Sequence, residues 1–389
     1  MPDKDRSRRK SFLTFGAPQI EQQEIDEVVD SLRNSWIGTG PKVKQFEEAF
    51  GQYKDQPHCV AVSSCTAALH LSLVALDLQP GDEVITSPLT FCATINAIIH
   101  AGGTPVLADV DSETMNICPE QIDKRLSKKT KAILPVHFAG RPCAMAQIQQ
   151  IAVANDLKIV EDCAHAIETQ FDGTHAGTMG DFGCFSFYAT KNITTAEGGM
   201  ILCKSKTDLE RLRRIALHGL SHDAWRRFTD KGYQHYLVTD LGFKYNMTDI
   251  QAAIGIHQLK RIEQNLARRS EIWQQYDEGF QDLPIHLPSD WSKEVRHARH
   301  LYTIRVDQEH SGMTRDQFLQ RMDDENIGTG VHYQSVAAHP YYQNRFGWKP
   351  EDTTIAYQIG QSTVSLPLSP ALCETDVHDV ISAVRHVVG

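Results

Sequence analysis

LKIVEDCAHA, residues 157–166, is a short apolar run that ends on two adjacent carboxylates and a string of small residues. Its length and β-branched content read as a strand buried on both faces, with Asp162 at the end where the chain leaves the sheet. Upstream, AMAQIQQIAVAND (144–156) has helical spacing and KAILPVHF (131–138) is another strand candidate. Further out, PEQIDKRLS (119–127), ATINAIIHA (93–101) and TAALHLSLVALDL (66–78) read as helices between the runs TPVLADV (104–110), EVITSP (83–88) and CVAVSS (59–64). Downstream, GCFSFY (183–188) and GGMILCK (198–204) add two more strands. Alternation of this kind predicts right-handed crossovers and a mostly parallel central sheet, an α/β fold, with ligands gathering at strand ends and helix starts.

Outside this block the pattern changes. EIDEVVDSL (24–32) has apolar residues at helical spacing and is broken by the glycines of WIGTGP (36–41). Thr248 followed by Gln251 fits a capping box that opens one long helix over 249–280. HLYTIRV (300–306), a helix from Arg315 to about Glu325, GTGVHY (328–333), STVSLPL (362–368) and a closing helix (376–388) suggest a smaller α+β domain. The expected division is a flexible lead over 1–15, a large domain over 16–265 and a small C-terminal domain over 266–389.

Composition excludes several classes. With 41% hydrophobic and 23% charged residues the chain is ordinary for a globular protein, and a net charge of −10 disfavours bulk nucleic-acid binding. An anionic ligand must therefore be held by local donors. Nine cysteines without a CxxC pair point to reduced thiols and a cytoplasmic location, and no zinc-ligand spacing suggests a metal. The basic start MPDKDRSRRK lacks an apolar export segment, and no run approaches the roughly 20 apolar residues of a membrane span, so no membrane insertion is expected.

The candidate chemistry lies at two strand ends. Asp162 closes one, and Lys191 in FSFYATKN (185–192) sits just past another, so the two can meet above one sheet. An amine that forms an imine with an aldehyde, and a carboxylate that keeps a pyridine nitrogen protonated, are what pyridoxal 5′-phosphate (PLP) requires. The strand-to-helix turn SSCTAALHL (63–71) places the backbone amides near Thr66 and Ala67 at a helix start suited to a phosphate, although Thr66 reads equally as a structural cap. Ser186 is a second phosphate ligand or a satisfied strand serine. Phe91 is placed to stack on a ring or belongs to the core, and His165 reaches the cofactor's ring oxygen or is a structural histidine.

Taken in order, WIGTGPKVKQFEEAF, AVSSCTAALHL, GDEVITSPLTFCATINAI, ILPVHFAGRPCAM, IVEDCAHA, FSFYATKNITTAEGGM, FKYNMTDIQAAIG and IGTGVHY resemble the DegT/DnrJ/EryC1/StrS family of nucleotide-sugar aminotransferases, PLP enzymes of fold type I. The resemblance implies that Lys191 forms a Schiff base with the cofactor, Asp162 pairs with the pyridine nitrogen, His165 contacts the phenolic oxygen and Phe91 covers the ring. It implies phosphate contacts from Thr66, Ala67 and Ser186, joined by Asn246 of FKYN from the neighbouring subunit of a homodimer. It further implies L-glutamate as donor, 2-oxoglutarate as its product and a nucleotide-linked keto sugar as acceptor. ATKNITTAEGG, HGLSHDAW and LGFKYNMTDI look most like the branch that aminates a UDP-linked 4-keto pentose to 4-amino-4-deoxy-L-arabinose. Arg227, His332 and Tyr333 are the candidates to contact the sugar or its phosphates. Cys65 stands where many members have glycine, and His165 where many have glutamine. The alternatives are a transaminase acting only on amino acids, and a 3-amino or dTDP- or GDP-linked branch of the same family. The branch that eliminates a hydroxyl instead usually has histidine where this chain has Lys191.

Overall fold

The computed structural model describes residues 8–221 and 237–389. The strands are β1 (Cys59–Val62), β2 (Glu83–Thr86), β3 (Thr104–Leu107), β4 (Thr130–Leu134), β5 (Lys158–Asp162), β6 (Gln170–Phe171), β7 (Thr174–His175), β8 (Phe182–Ser186), β9 (Gly199–Cys203), β10 (Val295–Arg296), β11 (Tyr302–Arg305) and β12 (Thr363–Leu366). Seven of them form one sheet in the order β1-β9-β8-β5-β4-β2-β3. The pairs from β3 through β8 are parallel, and β9 opposes both of its neighbours. All seven strands expected from the sequence are present. β1, β8 and β9 are buried along their whole length, which accounts for their unbroken apolar runs.

The ends of β1, β5 and β8 share one edge of this sheet. The helix Cys65–Val74, apolar on every side, is buried from Ala67 to Leu73 and lies across β8 and β9 with its first turn toward that edge. A charged residue in so dry a sheet needs partners. Glu161, the residue before Asp162, accepts from the amides of Gly177 and Gly180 (2.8 and 2.5 Å) and faces His137 Nε2 at 2.9 Å.

Elsewhere the structure departs from expectation. The single helix over 249–280 is two, Asp249–Lys260 and Ile262–Phe280, because Arg261 leaves the helical basin (φ −99°, ψ 3°). Its amide bonds three residues back, to Gln258, and its guanidinium reaches Glu24 at 2.6 Å. The expected capping box at Thr248 and Gln251 is formed. GTGVHY makes an isolated bridge from Gly330 to Ser365 beside the two-stranded β11–β12 sheet, and no named strand. β6, β7 and β10 form a sheet of two-residue strands, too short to leave a period in the sequence. Residues 8–15, read as a flexible lead, are tied down: Arg9 bonds Asp376 (2.6 Å) and Asp379 (3.0 Å), and the Leu13 backbone bonds Asn326 and Gly328, each at 2.8 Å.

Candidate active site

Register explains how distant residues meet. Gly199 of β9 lies opposite Val62 of β1 on one side and Ser186 of β8 on the other. A Cβ at Gly199 would come within 2.5 Å of the Ser64 carbonyl and 2.8 Å of the Cys65 nitrogen, so only glycine lets the start of the helix Cys65–Val74 settle this close to the sheet. The first intrahelical bond runs from Ala68 N–H to Ser64 O. The amides of Cys65 and Thr66 precede it and are oriented for an anion. Ala67 does not fit the role expected of it, because its N–H already donates to Ser64 Oγ at 3.1 Å. Thr66 is exposed on the same turn, and Ser186, nearly buried, takes a 3.4 Å bond from the Tyr188 amide.

Asp162 is 4% exposed. Its Oδ1 accepts from the Ala164 amide (3.1 Å) and its Oδ2 from Thr94 Oγ1 (2.9 Å), whose hydroxyl pairs with Thr90 at 2.7 Å. A carboxylate has room for about four such bonds, so Asp162 keeps capacity for a further N–H donor. Burial raises its pKa, while the two hydrogen bonds and nearby Lys191 pull it down.

Lys191 follows β8 in a turn closed by its own amide on Tyr188 O (2.9 Å). Burial pushes its ammonium down to about 8, against the opposing pull of Cys65 and Asp162. Its amine therefore loses its proton readily near neutral pH. β5 and β8 lie side by side with Asp162 opposite Cys184, so the strand end that carries Asp162 adjoins the one that leads to Lys191.

His165 lies beside this group, but its ring is fully engaged. Nδ1 accepts from the Ala139 amide (3.3 Å), so Nε2 carries the hydrogen and faces Tyr333 Oη at 2.9 Å. Burial and the Lys191 charge hold the imidazole well below its usual pKa, hence neutral. His165 thus addresses Tyr333 and has no ring nitrogen left for a cofactor oxygen, a correction to the sequence reading, and it leaves the Tyr333 O–H to donate onward. His332 Nδ1 pairs with Ser365 Oγ at 2.9 Å, and burial beside Lys191 brings it down to about 4.

Phe91, 58% exposed, begins the helix Cys92–His100 and stands 6.2 Å from the Tyr333 ring. Both line a cavity of about 730 Å³ whose far side is formed by Asn96, His339, Tyr341 and Tyr342. Asn246 bridges Val62 through its backbone and donates to Thr39 Oγ1 at 2.6 Å within the same chain. Arg227 lies outside the described residues.

Sequence reasoning missed Thr94, Asn192, Glu168, His300 and Arg269. Thr90 precedes the helix Cys92–His100 and Thr94 lies in its first turn, and their hydroxyls meet there at 2.7 Å. Arg269 falls in the buried stripe Leu266, Arg269, Ile272, Trp273 and Tyr276, where an arginine implies a buried acid.

Do these residues fit PLP? The desolvated amine, the buried carboxylate with spare acceptor capacity, and a helix start held open by Gly199 match its aldehyde, ring nitrogen and phosphate. Fold and site together define a PLP-dependent sugar aminotransferase of fold type I. Residues 18–385 match the DegT/DnrJ/EryC1/StrS aminotransferase family, and the chain belongs to it. It is 45% identical over 382 residues to the spore coat polysaccharide biosynthesis protein SpsC of Bacillus subtilis, covering 98% of each chain. Among solved structures it resembles Spr1654 of Streptococcus pneumoniae, described as a sugar aminotransferase and solved in its PMP form (34% identity, TM-score 0.90, 97% of this chain and 99% of that one). It also resembles Helicobacter pylori PseC, an aminotransferase of pseudoaminic acid biosynthesis (26% identity, TM-score 0.90, 97% and 99%). Among the described residues no helix is long and apolar enough to cross a membrane.

Proposed function

We propose that this enzyme moves the amino group of L-glutamate onto a nucleotide-linked keto sugar, a UDP-4-keto sugar in the first instance, to build an amino sugar for lipopolysaccharide or another cell-surface glycan. The reading is carried by the cavity of about 730 Å³ that opens from Phe91 and Tyr333, in the size range of sites for ligands much larger than an amino acid. Its aromatic wall suits the apolar faces of a sugar or a base. The names of SpsC and PseC, both attached to glycan or sugar-acid biosynthesis, support the same substrate class.

Lys191 is the anchor for PLP and the group that moves the proton at the substrate carbon bearing nitrogen. Asp162 holds the proton on the ring nitrogen. Thr66, the Cys65 and Thr66 amides and Ser186 hold the phosphate, and Phe91 covers the ring. When bound, PLP supplies the electron sink that makes that carbon acidic. An amine pulled down to about 8 is poised to act as base and then as acid. Tyr333, aligned by neutral His165, donates a hydrogen bond into the site, and Tyr333 and His332 bring the proposed C-terminal domain (266–389) onto the large one (16–265). We place the enzyme in the cytoplasm as a homodimer in which Asn246 serves the partner's phosphate, with Arg227 and His332 contacting the sugar nucleotide.

The test is a half-reaction from the pyridoxamine form against UDP-, dTDP- and GDP-linked 3- and 4-keto sugars, the UDP-4-keto pentose included, with mass spectrometry of the products. Amination of a UDP-4-keto sugar is expected. Failure across the panel, together with amination of free keto acids, would overturn the substrate class.

A further inference from the structure

The residue after Lys191 is held more tightly than Lys191 itself. Asn192 Nδ2 donates to Glu168 Oε2 (2.8 Å) and to Ala298 O (3.0 Å), and His300 Nδ1 donates to Asn192 Oδ1 (2.8 Å). Two of these partners are pure acceptors, so the amide's orientation is fixed by chemistry. Glu168 is fully buried, six residues beyond Asp162 on the same loop, and its Oε1 pairs with Arg269 of the helix Ile262–Phe280, which is 1% exposed. His300 lies against His165 with ring centroids 4.5 Å apart. Lys191, Asn192 and Arg269 all line one cavity of about 30 Å³.

We propose that Glu168 is a positioning residue whose carboxylate, clamped by Arg269, fixes Asn192 and thereby sets where Lys191 stands relative to Asp162. The inference rests on the reading of Lys191 as the cofactor's anchor. A buried ion pair is a poor source of stability, since replacing both partners by apolar residues is often neutral. What this pair supplies is placement. Glu168 joins the loop of Asp162, the turn of Lys191 and the helix Ile262–Phe280, so a shift in any of the three is transmitted to the distance between amine and carboxylate. Arg269 holds one oxygen of the Glu168 carboxylate while the other accepts from Asn192.

The test compares purified holoenzymes: wild type, N192A, and two neutral pairs, E168Q/R269M and E168M/R269M. Both pairs remove the charges, but only the first leaves an acceptor oxygen for Asn192. The readouts are the pH midpoint of the visible absorption band of the Lys191–cofactor adduct, kcat and KM separately, and Tm. E168M/R269M is expected to keep a wild-type Tm while its band midpoint moves by about half a unit or more and kcat falls about tenfold at unchanged KM, the size of effect that a small misplacement produces. E168Q/R269M should recover most of both. N192A, which leaves the ion pair intact, should reproduce the shifted midpoint and carries the test if a double variant does not fold. A wild-type midpoint and kcat in N192A or E168M/R269M overturns the proposal. Failure of wild type to give a borohydride-trapped adduct on Lys191 overturns instead the reading beneath it.

Discussion

The polar strand ends around Asp162, an inner wall, and the aromatic cavity beside Phe91 and Tyr333, an outer wall, are made of different materials. The inner wall, at the ends of β5 and β8, consists of buried polar groups whose partners are mostly backbone amides and short hydroxyls: Asp162 on Ala164 and Thr94, Ser186 on Tyr188, the Cys65–Val74 helix start on Ser64. The outer wall, from Phe91 round to Tyr342, is aromatic and open, with Phe91 and Tyr341 more than half exposed. Groups locked by backbone bonds hold their position through a reaction at low reorganisation cost, whereas exposed rings adapt to the ligand that covers them. The contrast predicts a division of labour in which the inner wall governs kcat and the outer wall governs KM.

The largest expected effect comes from Lys191→Ala, which should abolish turnover and the visible absorption band together. A variant that turned over at wild-type rate would remove the inner wall's claim to the chemistry. Asp162→Ala comes next: cofactor should remain bound while kcat falls by about 100-fold or more, the scale on which a single well-placed electrostatic partner acts. Near-normal transamination would show that the ring-nitrogen proton is held elsewhere.

Thr94→Val sharpens the same wall more gently. Thr94 helps to lower the Asp162 pKa against burial, which raises it. Loss of that bond should raise the pKa further, and because the working form of Asp162 is the carboxylate, the acid limb of the kcat profile should move upward in pH. One hydrogen bond to a charged group is worth about 1.5–3 kcal/mol, an upper bound of roughly one to two pH units. An acid limb that stays put would separate Asp162 from the profile.

The two walls were not equally legible in the sequence. Asp162, Lys191, Thr66 and Ser186 could be placed because each ends a strand or opens a helix, and strand ends in a parallel sheet share an edge whatever the loops do. Phe91 was legible for the same reason. The role of His165 was not, because it turns on which ring nitrogen faces Ala139 and which faces Tyr333, a residue 168 positions away in sequence. Ala67 was misread because Ser64, one residue before the helix, takes its amide. Tyr341, Tyr342 and His339 reach the cavity through the short helix Pro340–Phe346, whose position follows from packing rather than from any period in its seven residues.

Tyr341→Ala tests the outer wall alone. Tyr341 is more than half exposed, so its loss should leave Tm nearly unchanged while KM for the sugar nucleotide rises by about tenfold or less, the equivalent of about 1.4 kcal/mol of stacking. KM for glutamate should not move, since the amino donor is too small to need this wall. A fall in kcat at constant KM would mean that the aromatic wall shapes the reacting geometry, and the division of labour would fail on this side.

The smallest effect is thermodynamic and is read on the cofactor-free protein. Lys191 is pulled from 10.5 to about 8 by burial. Below about pH 8 the amine is charged in both folded and unfolded chains, and the folded state bears the full cost of burying it, about 3 kcal/mol at 1.36 kcal/mol per unit. Between about 8 and 10.5 the folded chain releases its proton before the unfolded chain does, so the cost fades as pH rises. Lys191→Met removes the charge, and the variant should therefore melt a few degrees above wild type at pH 7, with the gap closing toward pH 10.5. Taking the difference between the two proteins cancels every other titrating group that they share. A gap that stayed constant across this range would place Lys191 in contact with water, and an inner wall that admits water could not hold its amine near 8.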